Sequence, residues 1–225
     1  MASEVRLHVW GEYACFTRPE MKVERVSYDV MTPAAARGIL EAIHWKPAIR
    51  WEIARIHVLK PIRFQSVRRN EVSAKASTSL AKSAMKAGTT AGLGINIADT
   101  RQQRASTLLV DVGYVIEARF ELTDRAGAED TPAKHIAMFN RRAQNGQCFH
   151  RPSLGTREFV ADFRLIEEGD PLPESSLGPG DRDRDLGWMN YEPGYVTGTP
   201  ARFFHARLED GVLEVERQAA ETMVA

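Results

Sequence analysis

The alternation of apolar and polar positions predicts the first strand and the first helix. Residues 4–10 alternate with a period of two, which is typical of a half-buried strand. Thr32 and Pro33 precede an apolar stripe at helical spacing that runs to Ile43. A hydroxyl cap followed by proline in the first turn is a common helix start, so we predict a helix that begins at Pro33 and ends near Trp45, Lys46 and Pro47.

The same pattern predicts further elements along the chain. Residues 51–64 are rich in β-branched side chains and predict a long strand that is interrupted or bent at Pro61, because proline has no backbone N–H to donate. The remaining predicted elements are a strand at 108–122, a helix from Pro132 to Ala143, a strand at 158–165 and a hairpin at 203–217 that turns at Asp210 and Gly211.

The order of these elements indicates the fold class. Strand, helix, strand, strand, helix and strand follow one another, which predicts an α+β, ferredoxin-like β-α-β-β-α-β domain over residues 1–185. Residues 186–225 are predicted to form a small C-terminal β-appendage. Because this fold serves nucleic-acid binding and many other activities, it does not by itself indicate a function.

A change in composition marks residues 72–104. This stretch is rich in Ala, Ser, Thr, Lys and Gly, with little apolar periodicity after Leu80. It predicts a basic, mobile insertion that could fold on nucleic acid. Its glycines at 88, 92 and 94 are not followed by Lys and Ser or Thr, so they do not form a phosphate-binding loop motif.

The charge distribution is uneven although the net charge is zero. The chain has 225 residues, with 30 Lys and Arg balanced by 30 Asp and Glu, and the basic residues concentrate between 46 and 104. This stretch could present a basic stripe to a phosphate backbone, although an ordinary solvated surface is equally compatible with the charges. No apolar run approaches the roughly 20 residues of a membrane span, so we expect a cytoplasmic protein without a membrane partner.

Metal and cofactor sites have no support in the sequence. The two cysteines, Cys15 and Cys148, and six scattered histidines show none of the spacings of zinc sites. We therefore expect no metal, no cofactor and two free thiols.

Several segments carry a resemblance to a known family. They are Gly11–Pro19, Gly38–Pro47, Val58–Ile62, Gln147–Phe159 and Leu186–Met189. Together they resemble the subtype I-C CRISPR-associated repeat endoribonucleases of the RAMP superfamily, the d variant of the Cas5 family. The resemblance covers nearly the whole chain and is weakest after Val72.

The resemblance implies an activity, partners and site residues. It implies metal-independent cleavage of the CRISPR repeat transcript (pre-crRNA) near the base of its hairpin, with retention in a type I-C interference complex. It also implies an active site made of an aromatic hydroxyl at the end of the first helix and a Lys-His pair opening the second. Lys134 and His135 match the pair, whereas His44 stands where the family has tyrosine. Without the resemblance, we would interpret these residues as a helix-end histidine and a solvated first turn.

These residue types suit RNA cleavage without a metal. Imidazoles titrate near neutral pH, so His44 and His135 could divide the base and acid roles, while Lys134 faces the phosphate oxygens. The expected products are a 2′,3′-cyclic phosphate and a 5′-hydroxyl. Trp45, Phe149 or His150 could stack on an exposed base. The residues expected to hold the RNA backbone are Lys46, Arg68, Arg69, Lys75, Lys82 and Lys86.

Two alternatives remain open at the level of sequence. The protein could be a non-catalytic subunit that binds the repeat-derived 5′ handle of the crRNA, because His44 replaces tyrosine. It could also be a metal-dependent nuclease acting on DNA, for which Asp181, Asp183 and Asp185 form the one compact carboxylate run. Duplex DNA is a further candidate partner.

Overall fold

A computed structural model describes residues 4–194 and 200–224. The chain divides into two compact units: one contains the residues up to Gln65 and from Thr107, and the other is Ser66–Ser106. The strands are β1 Val5–Ala14, β2 Arg25–Val26, β3 Ile49–Val58, β4 Phe64–Val72, β5 Arg101–Leu122, β6 Asp162–Ile166, β7 Arg184–Glu192, β8 Arg202–Glu209 and β9 Val212–Leu213. The helices are α1 Pro33–Ile43, α2 Thr78–Ala87, α3 Ile97–Thr100, α4 Pro132–Gln144, α5 Pro179–Arg182 and α6 Val215–Thr222.

Four strands and two helices give the first unit its ferredoxin-like core. The strands lie in the order β6-β1-β5-β3, and each neighbouring pair is antiparallel. The helices α1 and α4 contact each other, and each packs on the sheet. This arrangement is that of a β-α-β-β-α-β fold, so the predicted fold class is confirmed.

The core lies between this sheet and the two helices. Side chains such as Leu7 of β1 and Ile116 of β5 are fully buried with Leu40 of α1 and Phe139 of α4. The alternation in β1 explains this packing, because Val5, Leu7 and Val9 all point to the same face. Burying each such side chain contributes about 1.5–3 kcal/mol, so the core fixes where the ends of α1 and α4 meet.

The C-terminal strands continue the same sheet. The order extends from β3 through β9 and β8 to β7, and α6 packs on β3 and β8. The predicted boundary after residue 185 falls within β7. The division into 1–185 and 186–225 stays a prediction.

The structure corrects several predicted element boundaries. The predicted strand at 51–64 is interrupted around Pro61, which was one of the two alternatives, and its two parts extend further: β3 begins at Ile49 and β4 ends at Val72. The predicted strand at 158–165 begins only at Asp162. The hairpin turn at Asp210 and Gly211 is confirmed, but the chain after Leu213 forms the helix α6 instead of continuing as a strand.

The second unit contains regular elements that the sequence pattern did not predict. The helix α2 begins at the Ser77 cap, whose side chain accepts from Leu80 N–H, and it ends at Gly88 with a φ of 65°. None of the residues of α2 and α3 is buried, and Met85 is 83% exposed. These helices are therefore set by local capping, which explains why apolar periodicity gave no signal. The mobility of residues 72–104 stays a prediction.

Gly155 lies where a side chain would collide with the backbone of the first unit. Its φ is +89°, and an added Cβ would lie 2.0 Å from Cys15 O. We expect Gly155→Ala to lower the free energy of unfolding by about 2–3 kcal/mol, since it adds backbone strain to a steric clash. Urea denaturation measures this, with Gly169→Ala as the control. Gly169 has a φ of +91° but open space around it, so its alanine variant carries the backbone strain without the clash. An equal loss of unfolding free energy in both variants would show that the clash contributes nothing.

Candidate active site

The end of α1 fixes the position of His44. This residue follows Ile43 as the helix C-cap, and its N–H donates to Leu40 O. Its carbonyl accepts from the indole N–H of Trp51 at 2.8 Å. The His44 side chain is fully buried, so the residue is held by contacts on both its backbone and its ring.

The first turn of α4 fixes the position of His135. The Thr131 hydroxyl caps this helix by accepting from Lys134 N–H, and Pro132 occupies its first turn. The His135 ring meets the Phe120 ring edge-on, with 5.9 Å between the centroids. His135 is 1% exposed, so this second imidazole is buried like the first.

The two histidines belong to one chain of hydrogen bonds. His44 Nε2 lies 3.0 Å from His135 Nδ1, and His135 Nε2 lies 3.2 Å from Asp130 Oδ1. At the other end, Arg142 Nη1 lies 3.3 Å from His44 Nδ1 and donates to Ile43 O at 3.0 Å. The fold thus brings together two of the three predicted catalytic residues, which lie 91 positions apart in the chain.

The third predicted residue, Lys134, is exposed beside this chain. Its ammonium donates to Glu129 O at 2.9 Å, which holds it next to Asp130. Hydrogen bonding from Gly127 N–H, together with the charge of Lys134 and the contact with His135, lowers the pKa of the Asp130 carboxyl below its usual range. Asp130 is therefore ionised at neutral pH.

A cavity of about 390 Å³ opens over these groups. We call it the cationic cavity, because four of its lining residues are Lys or Arg and one is acidic. His135 lines it, whereas His44 does not. The lining residues are Lys46, Pro47, Ala48, Arg125, Asp130, Lys134, His135, Met138 and Arg142. Such a lining suits a phosphate group.

Burial of His44 makes the stability of the folded protein depend on pH. Desolvation, together with the nearby Arg142, His135 and Lys46, lowers the pKa of His44 from 6.5 to about 4. The unfolded chain therefore takes up this proton at a higher pH than the folded chain. Stability is retained above the unfolded pKa and falls as the pH drops from about 6.5 to about 4, by about 3 kcal/mol in total.

The resulting prediction concerns the pH dependence of unfolding. We expect His44→Gln to lose less stability than wild type between about pH 7 and about pH 4.5, because it lacks this titration. Denaturant unfolding at both pH values measures the difference. His150→Gln, which changes an exposed histidine, should keep the wild-type dependence. A wild-type dependence in His44→Gln would contradict the assignment.

The predicted RNA-binding residues lie in both units. Lys46 is exposed and lines the cationic cavity. The other five belong to the second unit, where Arg68, Lys75, Lys82 and Lys86 are exposed. Arg69 differs from them, because its guanidinium bonds Glu71 and Ser106 within that unit. Its charge is therefore partly engaged in holding β4 and β5.

Three residues of the cavity lining are not predicted from the sequence: Asp130, Arg142 and Arg125. Asp130 precedes the Thr131 cap by one position and was not singled out, although an acid beside a Lys-His pair at a helix start was visible. Arg142 approaches His44 from 98 positions along the chain, so local patterns carry no signal for it. Arg125 and Arg142 join the site only through the fold, which places both in the lining of the cationic cavity.

The aspartates of the metal-dependent alternative do not converge. Asp183 Oδ1 accepts from Asp210 N–H at 3.0 Å, and Asp185 Oδ1 accepts from Gly187 N–H at 2.8 Å. Within residues 4–194 and 200–224, no three His, Cys, Asp or Glu side chains are grouped as metal ligands. This run therefore stabilises loop backbone.

Comparisons with known proteins place the chain in a family. The family model for Cas5d, described as CRISPR-associated protein (Cas_Cas5), matches residues 4–216. The chain belongs to the Cas5d family. The subtype I-C assignment within the RAMP superfamily is thereby confirmed.

Two relatives of this Cas5d chain are named CRISPR pre-crRNA endoribonuclease Cas5d. The protein from Mannheimia succiniciproducens is 58% identical over 221 residues, which cover 98% of each chain. The protein from Thermus thermophilus is 41% identical and covers 95% of this chain and 91% of its own.

A solved structure shares the fold of this Cas5d chain. It is described as a CRISPR-associated protein and aligns with all of this chain and 97% of its own, with a TM-score of 0.69 and 22% identity.

In the described ranges, we find no helix with the length and apolar character needed to cross a bilayer.

Proposed function

We propose that this protein is an endoribonuclease that cleaves CRISPR repeat RNA by attack of a 2′-hydroxyl, without a metal ion. The observation that carries the proposal is the cationic cavity, where His135, Lys134 and Asp130 meet on one surface. The names of the two relatives support RNA as the substrate. We further propose that the protein works in the cytoplasm and remains in a type I-C interference complex with the cleaved RNA.

The reaction exchanges one phosphorus–oxygen bond for another. The 2′-oxygen bonds to the adjacent phosphorus and gives up its proton, while the bond to the 5′-oxygen breaks and that oxygen gains a proton. The products are a 2′,3′-cyclic phosphate and a 5′-hydroxyl. The site must therefore accept one proton, donate another and stabilise the negative phosphorane.

The geometry supports unequal roles for the groups at the cavity. Among the described residues that line it, Asp130 is the one carboxylate, and we assign it the proton of the 2′-hydroxyl. Lys134 is exposed beside it and donates a proton to the 5′-oxygen. His135 donates a hydrogen bond from Nε2 to a phosphate oxygen, as a neutral imidazole can do. Since His44 contacts His135 but not the cavity, it acts through His135. We propose these roles in preference to a division of acid and base between the two imidazoles, because only one of the two lines the cavity.

The test is cleavage of repeat RNA from the same genome in the presence of EDTA. We expect a single cut whose upstream product ends in a 2′,3′-cyclic phosphate, as measured by mass spectrometry. A 2′-deoxy substitution at the cut nucleotide should abolish the cut, because the attacking oxygen is then absent. Cleavage that requires added divalent metal, or that survives the deoxy substitution, would contradict the proposal.

Burial of the two imidazoles favours a second candidate. His44 and His135 are at most 1% exposed, which suits a subunit that binds the 5′ handle of crRNA without cutting it. The same assay separates the two candidates. Tight binding of an RNA that stays intact would support the binding subunit and overturn our assignments. Duplex DNA is a further proposed partner, to be measured in the same binding experiment.

The second unit is proposed to hold the RNA backbone. The logarithm of RNA affinity falls linearly with the logarithm of salt concentration. We expect Lys82→Ala and Lys86→Ala each to make this fall less steep, by about 0.7–0.9 in the slope, because each removes one phosphate contact. Fluorescence anisotropy with 2′-deoxy-blocked repeat RNA over a series of salt concentrations measures the slope. Lys22→Ala, at an exposed position of the first unit, is the control. An unchanged slope for both variants would remove α2 from the RNA interface.

A further inference from the structure

Arg142 stands at one end of the hydrogen-bond chain and can only donate. A guanidinium has five N–H groups, no acceptor, and keeps its charge in proteins. The two N–H groups of Nη1 face Ile43 O at 3.0 Å and His44 Nδ1 at 3.3 Å. His44 Nδ1 must therefore accept, and a neutral His44 carries its proton on Nε2.

The donor and acceptor roles set by Arg142 continue along the hydrogen bonds to the cavity. His44 Nε2–H points at His135 Nδ1 across 3.0 Å, so that nitrogen must also accept. A neutral His135 then carries its proton on Nε2, which faces Asp130 Oδ1 at 3.2 Å. A protonated His135 would need His44 Nε2 as an acceptor, and the displaced proton on His44 Nδ1 would then face the N–H of Arg142.

We propose that Arg142 is a positioning residue for RNA cleavage: it fixes the tautomers of both histidines, so that His135 presents Nε2–H to the cavity. The inference rests on the proposed function for its catalytic consequence, whereas the tautomers can be measured without RNA. The buried position of both rings strengthens it, because water does not offer alternative partners there. The low pKa of His44 agrees with a ring that stays neutral.

The first experiment observes the tautomers directly. Long-range ¹H–¹⁵N NMR of the imidazole rings distinguishes protonation at Nδ1 from protonation at Nε2. In the wild-type protein, we expect His44 to carry its proton on Nε2 and His135 Nδ1 to accept that hydrogen bond, so that His135 carries its own proton on Nε2. A wild-type His44 protonated at Nδ1 would overturn the proposal without any variant.

Variants test whether Arg142 is the cause. Arg142→Met removes the donor with little change in length, and we expect a mixture of tautomers at both rings. Arg142→Lys keeps a positively charged donor and should restore the wild-type spectrum, provided that circular dichroism shows a folded chain. Arg141→Met, at the adjacent exposed position of α4, is the control. A wild-type spectrum in folded Arg142→Met would contradict the proposal.

Kinetics separate positioning from phosphate binding, since Arg142 also lines the cavity. For Arg142→Met, we expect the single-turnover rate to fall roughly 100-fold with little change in the Kd of 2′-deoxy-blocked RNA. A loss confined to Kd would make Arg142 a phosphate ligand and overturn the positioning role. If the wild type does not cleave RNA but its tautomers are as expected, the proposed function fails while the structural assignment of Arg142 stands.

Discussion

His135→Gln should reduce the single-turnover rate of repeat RNA cleavage by roughly 100- to 1000-fold, the cost of removing one donor aimed at a developing oxyanion. His135 is the imidazole that lines the cationic cavity, and its Nε2 lies on the cavity side next to Asp130. Glutamine retains a polar amide of similar length but does not reproduce the ring contacts with His44 and Phe120. The rate constant is measured with enzyme in excess over labelled RNA.

The control for this prediction separates chemistry from folding and binding. His205→Gln changes a partly exposed histidine of β8 that pairs with Asp185, and it should cleave at the wild-type rate. The Kd of His135→Gln for 2′-deoxy-blocked RNA should stay close to the wild-type value, because the charges of the cavity are retained. A large loss of affinity with an unchanged rate constant would place His135 in RNA binding instead of catalysis.

Lys134→Met should cause a similar or larger loss of rate, roughly 100- to 10,000-fold, if its ammonium protonates the 5′-oxygen. Lys134 is exposed, and its Nζ is anchored on Glu129 O beside Asp130. Methionine keeps the aliphatic stem while removing both the charge and the proton. A substrate whose 5′-oxygen is replaced by sulfur needs no such proton, so it should be cleaved by Lys134→Met at nearly the wild-type rate.

Lys46→Met is the matched comparison for Lys134. Both lysines line the cationic cavity, but they come from different elements. Lys46 lies just after the end of α1, whereas Lys134 lies in the first turn of α4. We expect Lys46→Met mainly to raise the Kd, and the sulfur substrate should not rescue it. Equal behaviour of the two variants with both substrates would mean that Lys134 contributes charge alone.

The sequence predicted the fold well wherever one face of an element is buried. The helices starting at Pro33 and Pro132 both begin at predicted residues, because their Thr-Pro starts are local signals. The helix α2 escaped prediction since it buries no residue and depends on the Ser77 cap. The prediction of a strand where α6 lies is wrong. The apolar residues after Asp210 are too few to distinguish the helical period from the strand period of two.

The candidate site was only half predictable. His44, Lys134 and His135 were selected through the family resemblance, and their residue types alone would not have singled them out. Their meeting depends on a core that places the end of α1 against the start of α4. Arg142 joins the site only through that meeting, since a hydrogen bond between residues 98 positions apart leaves no local pattern. Asp130, five positions before His135, is visible in the sequence as an acid beside the Lys-His pair.

The position of β9 bears on how the chain avoids association with other copies. In a four-stranded ferredoxin-like sheet, β3 would be an edge strand with unpaired backbone donors and acceptors. Here β9 pairs with Ile56 and His57 of β3, and α6 packs on the same strand. Pairing part of an edge and packing a helix on the same strand leaves less of that edge available for intermolecular strand pairing. The short strand β9 and the helix α6 thus lower the tendency of this domain to aggregate through the β3 edge.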